Sequence, residues 1–318
     1  MNYKVIYSLL IVICSATMVF AQAGKGFKAM AEKGYRALWV DLYHGEPVKF
    51  KTMVDDLASV DVVYLGERHT LKRHHDLHEE IVKSLAKRGK RVILGLEQME
   101  SFLQRKLDKY NKDEISFEEL ALKTDWKKRW SNFEDYRDLI EAAKESGGRI
   151  VALNAKKELV RKIGRKGIKA LSTEDRKKLP HFTKMDNDWH KKLVTLKVQV
   201  HAAMKPEMLN SIYEAQTVRD ENMASLTARA LRKKKADEIV VVVCGSGHCN
   251  YGLGIPQRVR RRLPKHKDRI VHFTESGFLK LSPAMKKLAK DIKISHEQLR
   301  FLQAPIADYM HCHEQKRK

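Results

Sequence analysis

Five polar residues stand directly after apolar runs that read as buried strands. Glu67 and His69 close VVYLGERH, Glu97 closes VILGLEQ, Asn154 closes IVALNA and His248 closes VVVCGSGH. Carboxylates, imidazoles and an amide can move protons, hold a metal ion or orient a polar ligand. In an open parallel sheet ligands bind just beyond the carboxyl ends of the strands, which makes these five candidates for one cleft. A repeat sharpens the signal: Gly66-Glu67-Arg68-His69 and Gly245-Ser246-Gly247-His248 both read Gly-x-x-His after an apolar run. A short glycine-containing loop can hold an imidazole at a cleft mouth. Glu67, His69, Glu97 and His248 are therefore a candidate catalytic set, with one carboxylate or imidazole activating water as general base. The same four are a candidate set of ligands for a divalent metal. A polar network that pins the loops of the sheet is the third account of them.

Around this set lie further candidates. His74, His75 and His78 follow on a helix, and positions 74 and 78 share a face at one-turn spacing. His74, in the first turn, is expected close to the site, and His78 behind it or toward solvent. Tyr213, Gln216, Asp220 and Glu221 recur at roughly helical spacing, and His190 and His201 lie on the preceding helical run. A haem site needs an apolar slot, an axial Tyr, His or Met, and cations for the propionates. Tyr213, His190, His201, His74, Asn154, Gln216 and Glu221 are the candidates for such a cofactor pocket, although no spacing encodes one by itself. His311-Cys312-His313 is a further metal or haem oddity, read here as part of a disordered end.

The elements that must position these groups alternate. Strands are expected at Ala37–Tyr43, Val62–Leu65, Arg91–Leu96, Arg149–Leu153, Glu238–Val243 and Arg269–Phe273. Helical spacing marks Leu71–Arg88, which Gly89 stops, and segments near Ser101–Tyr110, Phe117–Leu122, Phe133–Glu145 and from Lys156. Strand, helix, strand alternation of this kind builds an α/β fold, a mostly parallel sheet flanked by helices. No strand pattern occurs between Leu171 and Lys235, where Asp188–Met204 and Pro206–Arg232 read as long amphipathic helices. The expected plan is a core of 36–170 and 237–280, a smaller helical insertion or lid at 171–236, and a charged, partly helical tail at 281–318.

Residues 1–23 carry a lysine, an apolar stretch and small residues at Ala21 and Ala23, the pattern of a signal peptide, with an uncleaved anchor as the alternative. An exported chain is expected. Formal net charge is +23, which raises nucleic acid as a partner. The expected export and the lack of any helix-turn-helix, zinc-finger or RNA-binding signature argue against it. Lysines and arginines are spread along helices such as RALRKKK and QRVRRR, so a solvated basic surface is expected, or attraction to an anionic small ligand or the envelope membrane. Cys244, Cys249 and Cys312 follow the leader, and an odd count leaves at least one thiol unpaired within the chain.

Taken together, LGERHTLKRHH, GLEQMESFLQRKLDKY, FEDYRDLIEAAKESGGRIVALNAKKELVRKIGRKGIKALS, YEAQTVRDENMASLTARAL and CGSGHCNYGLGIPQRVRRRL resemble the ChaN-like haem-binding uptake family. That family shares a superfamily with the Tiki/TraB proteases and the erythromycin esterases. The resemblance runs from about Leu38 to Phe273. It implies an α/β core with a smaller helical part, and a periplasmic, secreted or outer-membrane-associated bacterial protein of haem or iron acquisition. It further implies haem held through a tyrosine at a homodimer interface, the haems face to face. Tyr213, or an aromatic near Trp189 and His190, stands where that tyrosine is sought. The hydrolytic branches of the superfamily use both Gly-x-x-His motifs and a glutamate, matching His69, His248 and Glu67 or Glu97.

Overall fold

The computed structural model describes residues 37–179, 188–199, 205–276 and 296–314. The chain opens with a short hairpin, β1 (Ala37–Asp41) and β2 (Glu46–Pro47), followed by α1 (Phe50–Leu57). Two strand–helix units come next: β3 (Val62–Glu67) with α2 (Lys72–Ala86), then β4 (Arg91–Glu100) with α3 (Gln104–Asn111), α4 (Phe117–Thr124), α5 (Trp126–Arg129) and α6 (Arg137–Glu145). After β5 (Arg149–Asn154) the described helices are α7 (Lys157–Lys166), α8 (Thr173–Lys177), α9 (Asp188–Gln199) and the long α10 (Pro206–Lys233). The chain then runs through β6 (Glu238–Gly245), α11 (Ile255–Arg262), β7 (Asp268–Ser276), α12 (His296–Leu299) and β8 (Tyr309–Glu314).

One eight-stranded sheet results, in the order β2-β1-β8-β7-β3-β6-β4-β5. Every pairing from β8 to β5 is parallel, and only β1 runs antiparallel to its neighbours β2 and β8. The expected α/β class is the observed one. Both faces of the central strands are covered, which explains why their sequences read as unbroken apolar runs. Val63, Leu65, Leu94, Leu96, Val241 and Val243 face one core with α1, α2 and α6. Their neighbours Val62, Tyr64, Ile93, Val240 and Val242 face a second core with α10 and α11. Each fully buried Val or Leu contributes about 1.5–3 kcal/mol relative to exposure.

Local signals set the helix ends. Ser116 caps α4 in a reciprocal box with Glu119. Gly89, at φ +76°, turns the chain out of α2 through a left-handed conformation that costs glycine nothing. The open edge of β5 is satisfied by side chains of α3: Gln104 accepts from the Ala152 amide at 2.8 Å, and Asn111 both accepts from and donates to Ile150 at 2.9 Å. That covers an edge otherwise free to pair with another chain.

The stretch read as a helical insertion or lid contains only helices among its described residues, and its α10 packs on α7, α11 and β6. One expectation changes. The end read as disordered contains β8, which pairs with both β1 and β7. His311 is buried there, its ring 4.7 Å from that of Trp39, and burial pushes it down to about 4. A neutral imidazole of this kind serves as an ordinary core-facing strand residue.

Candidate functional site

Because β6 lies between β3 and β4, their carboxyl ends bring Glu67, Gly245 and Glu97 to one place. Glu97 is the hub. Its Oε1 lies 3.4 Å from His248 Nε2 and 3.6 Å from His69 Nε2, so the two Gly-x-x-His imidazoles converge on one carboxylate. The Arg219 guanidinium donates to the same oxygen, and Oε2 accepts the Gly245 amide at 2.7 Å. Burial alone would favour the neutral acid. The cations of His248, Arg219 and His69 outweigh it and hold Glu97 ionised, well below the usual carboxylate range. Gly245 is a steric requirement: a Cβ there would stand 2.8 Å from His69 Nε2.

Each imidazole is oriented by a carboxylate on its far side. His248 Nδ1 donates to Asp220 Oδ1 at 2.5 Å, with the Gln216 amide 2.9 Å from the same nitrogen. Burial opposes protonation of His248, but Glu97 and Asp220 together raise it to about 9. His69 Nδ1 donates to Glu67 Oε1 at 2.7 Å. That oxygen also accepts from Tyr136 at 2.5 Å and Gln98 at 2.9 Å. Burial again opposes charge, and Glu97 and Glu67 raise His69 above its ordinary value. With 32 % of its side chain exposed and its ring edge-on to Trp130 at 4.8 Å, His69 is the imidazole of the pair that solvent reaches.

The remaining candidates divide. Asn154 belongs to the site, donating to the Glu97 carbonyl at 2.9 Å and accepting from Arg219 Nε at 3.3 Å. Gln216 belongs to it through His248. Tyr213 and His190 are buried against each other, ring centroids 5.5 Å apart, and His190 Nε2 stands 3.4 Å from Asp220 Oδ2, behind the cleft rather than in it. Glu221 points away, gripped by Arg258, Arg261 and Arg262. His201 lies outside the described residues. His74 is buried beneath the loop, its Nδ1 accepting the Arg68 amide at 3.1 Å, and burial pushes it down to about 3. His78 is not toward solvent: it is fully buried, Nδ1 3.4 Å from Glu67 Oε2, with His75 Nε2 3.5 Å from the same oxygen.

No group of three His, Cys, Asp or Glu among the described residues is arranged to hold a metal ion. Arg219 and the Gly245 amide bond to Glu97, and three donors share one oxygen of Glu67, so both carboxylates already carry internal bonds. Cys244, Cys249 and Cys312 are free thiols. Alongside Glu97 opens a hollow of about 220 Å³. Met99, Leu103, Trp126, Trp130 and Val160 wall it, and Arg129, Lys157 and Arg219 bring cations to it.

Sequence reading passed over Arg219, Gln98, Tyr136 and Trp130. Two of them adjoin sequence candidates: Gln98 directly follows Glu97, and Arg219 lies between Gln216 and Asp220, which both reach His248 Nδ1.

Fold and site together define an α/β protein with a histidine–carboxylate cleft at the carboxyl edge of a parallel sheet. The family described as haem-binding uptake, Tiki superfamily, ChaN matches residues 53–259, and the chain belongs to it. ChaN of Campylobacter jejuni, described as binding haem cofacially, is similar in fold: TM-score 0.64 at 20% identity, covering 88% of this chain and 97% of that one. The erythromycin esterase EreC is a more distant likeness, at TM-score 0.47 and 12% identity over 82% of this chain and 92% of that one. A curated relative, the chloroplastic Protein RETICULATA-RELATED 5 of Arabidopsis thaliana, is 26% identical over 251 residues. That match takes in 71% of this chain and 33% of the plant protein, so the chain spans about a third of its relative's length.

Proposed function

We propose that this chain binds haem in the cleft beside Glu97, with His69 as the iron ligand. The observation that carries the reading is a solvent-reached imidazole packed edge-on against Trp130, one of two tryptophans walling an apolar hollow that is rimmed by cations. Those are the parts an amphiphilic dicarboxylate with a central metal requires. The carboxylate bonded to His69 Nδ1 fits too. Metal-binding imidazoles commonly give their other N–H to a carboxylate, which fixes the tautomer and directs Nε2 at the metal. Haem would supply an iron centre that His69 would hold, Trp130 and Val160 would give an apolar wall, and Lys157 would partner a propionate. Tyr213 and His190, buried behind the cleft, are poorly placed for iron.

Family membership supports the haem reading. An exported protein of haem or iron uptake is the biological setting we propose, resting on the leader pattern of residues 1–23. Pairing of two copies is proposed from the cofacial haems of the Campylobacter relative. Titration with hemin tests the core of this. A Soret band should form and weaken at least about tenfold in affinity in His69→Ala, the loss expected of a metal ligand. No spectral change at micromolar hemin removes the reading.

One observation favours hydrolysis as a second reading. Asp220, His248 and Glu97 form a continuous buried chain that ends facing His69. His248, charged at neutral pH, is a proton donor for a leaving group, with Glu97 keeping its charge in place. Turnover of a chromogenic ester should vanish in His248→Ala and His69→Ala while the fold persists. Wild-type rates in both variants would end that reading.

A further inference from the structure

The strands from β3 to β7 all run the same way, so the loops that enter them share the edge of the sheet opposite the cleft. Backbone bonds stitch those loops into one rim. The Asp61 amide donates to the Lys267 carbonyl at 2.9 Å, the Val240 amide to the Asp61 carbonyl at 3.1 Å, and the Arg91 amide to the Asp237 carbonyl at 2.9 Å. Lysines crowd this rim: Lys87 and Lys90 follow α2, Lys233 and Lys235 end and follow α10, and Lys265 and Lys267 follow α11. All but the half-buried Lys90 are exposed, and none of the six makes an ion pair among the described residues. The acids of the same loops are already matched: Asp61 with Lys234 at 3.0 Å, Asp237 with Arg91 at 2.6 Å, Glu238 with Arg149 at 2.7 Å and Asp268 with Arg260 at 2.9 Å. Cations in the last turn of a helix suit its dipole. Lys90, Lys235, Lys265 and Lys267 lie past those turns, so the dipole does not account for them.

We propose that this rim is a docking surface for a bilayer bearing anionic phospholipid headgroups. A plane of phosphates complements a ring of lysines whose own carboxylates are spent, and each lysine near such a surface adds to the attraction. Among the described residues the large exposed apolar side chains are Tyr43, Phe102, Leu122, Trp189 and Met208, and none lies in these loops. Nothing there wedges into hydrocarbon, so docking is electrostatic and reversible. Nor does the rim offer a ring on which a nucleic-acid base could stack. The six residues of β3 separate the rim from the cleft by about 20 Å at the rise of an extended strand. Docked on its lysines, the molecule turns the histidine–carboxylate cleft away from the headgroups and toward water, whatever that cleft holds.

Co-sedimentation of the full chain with vesicles tests this, phosphatidylglycerol mixed with phosphatidylcholine against phosphatidylcholine alone. The mixed vesicles should bind the chain, and salt raised from about 0.05 M to about 0.5 M should release it. A lysine near an anionic surface is worth about fivefold, so Lys87→Gln with Lys265→Gln should weaken binding by about twenty-fivefold. Lys127→Gln with Lys191→Gln removes the same charge at exposed positions outside the rim and should change binding by less than about twofold. Equal binding to both kinds of vesicle, or equal losses in the two variants, overturns the docking surface. So does a single-stranded oligonucleotide that binds at a salt concentration where the mixed vesicles do not, because the rim would then serve nucleic acid.

Discussion

The charge on His248 should be visible as pH-dependent stability. Its imidazole titrates near 6.5 when unfolded and near 9 when folded, between Asp220 and Glu97. At about 1.4 kcal/mol per tenfold change in proton affinity, that difference amounts to about 3 kcal/mol favouring the folded, protonated form. Because the folded value is the higher one, the stabilisation is complete below about 6.5 and fades as pH climbs through about 9. Urea unfolding of wild type and His248→Gln at about pH 6 and about pH 10 reads the effect as the difference between the two profiles. Wild type should lose about 3 kcal/mol more than the variant across that range. Asp220→Asn should lower the midpoint of His248, followed directly by its imidazole NMR signals. Parallel pH profiles for wild type and His248→Gln would refute the assigned hydrogen-bonded charge.

Three further outcomes follow from the same geometry. Gly245→Ala places a Cβ 2.8 Å from His69 Nε2, so it should cost about 1–3 kcal/mol by overpacking and displace His69, seen as weaker hemin binding. Glu97→Gln leaves Arg219 and two imidazoles without their shared anion, costing about 3–5 kcal/mol in urea unfolding and lowering the titration of both histidines. Hemin affinity should rise with pH through the titration of His69, which lies above its ordinary value, because iron competes with the proton on Nε2. Affinity that is flat across that range, or lost on raising pH, would remove His69 as the ligand.

The convergence of Glu67, His69, Glu97, Asn154 and His248 was legible because each sits where a fully apolar strand stops, and a parallel sheet gathers such ends on one edge. What those residues bond to was not. Arg219 reads as one more cation on a basic helix, and only the approach of α10 to β4 makes it the partner of Glu97. Tyr213 and His190 have the right chemistry for a haem ligand, but sequence cannot say that they spend their surfaces on each other. His74, His75 and His78 look polar and lie buried, because desolvation keeps imidazoles neutral and lets them pack as aromatics. The same disguise hid β8, where His311 takes the inward position that valine or isoleucine would signal.

The position of β8 has a consequence for assembly. It is the last of the described strands in order, yet it sits inside the sheet, with β1 on one side and β7 on the other. During synthesis, the first hairpin emerges long before the strand it must dock on, and β7 waits with a bare rim. A polypeptide ending ahead of Tyr309 forfeits three strands rather than one, and the exposed flank of β7 becomes a template for a stray neighbour.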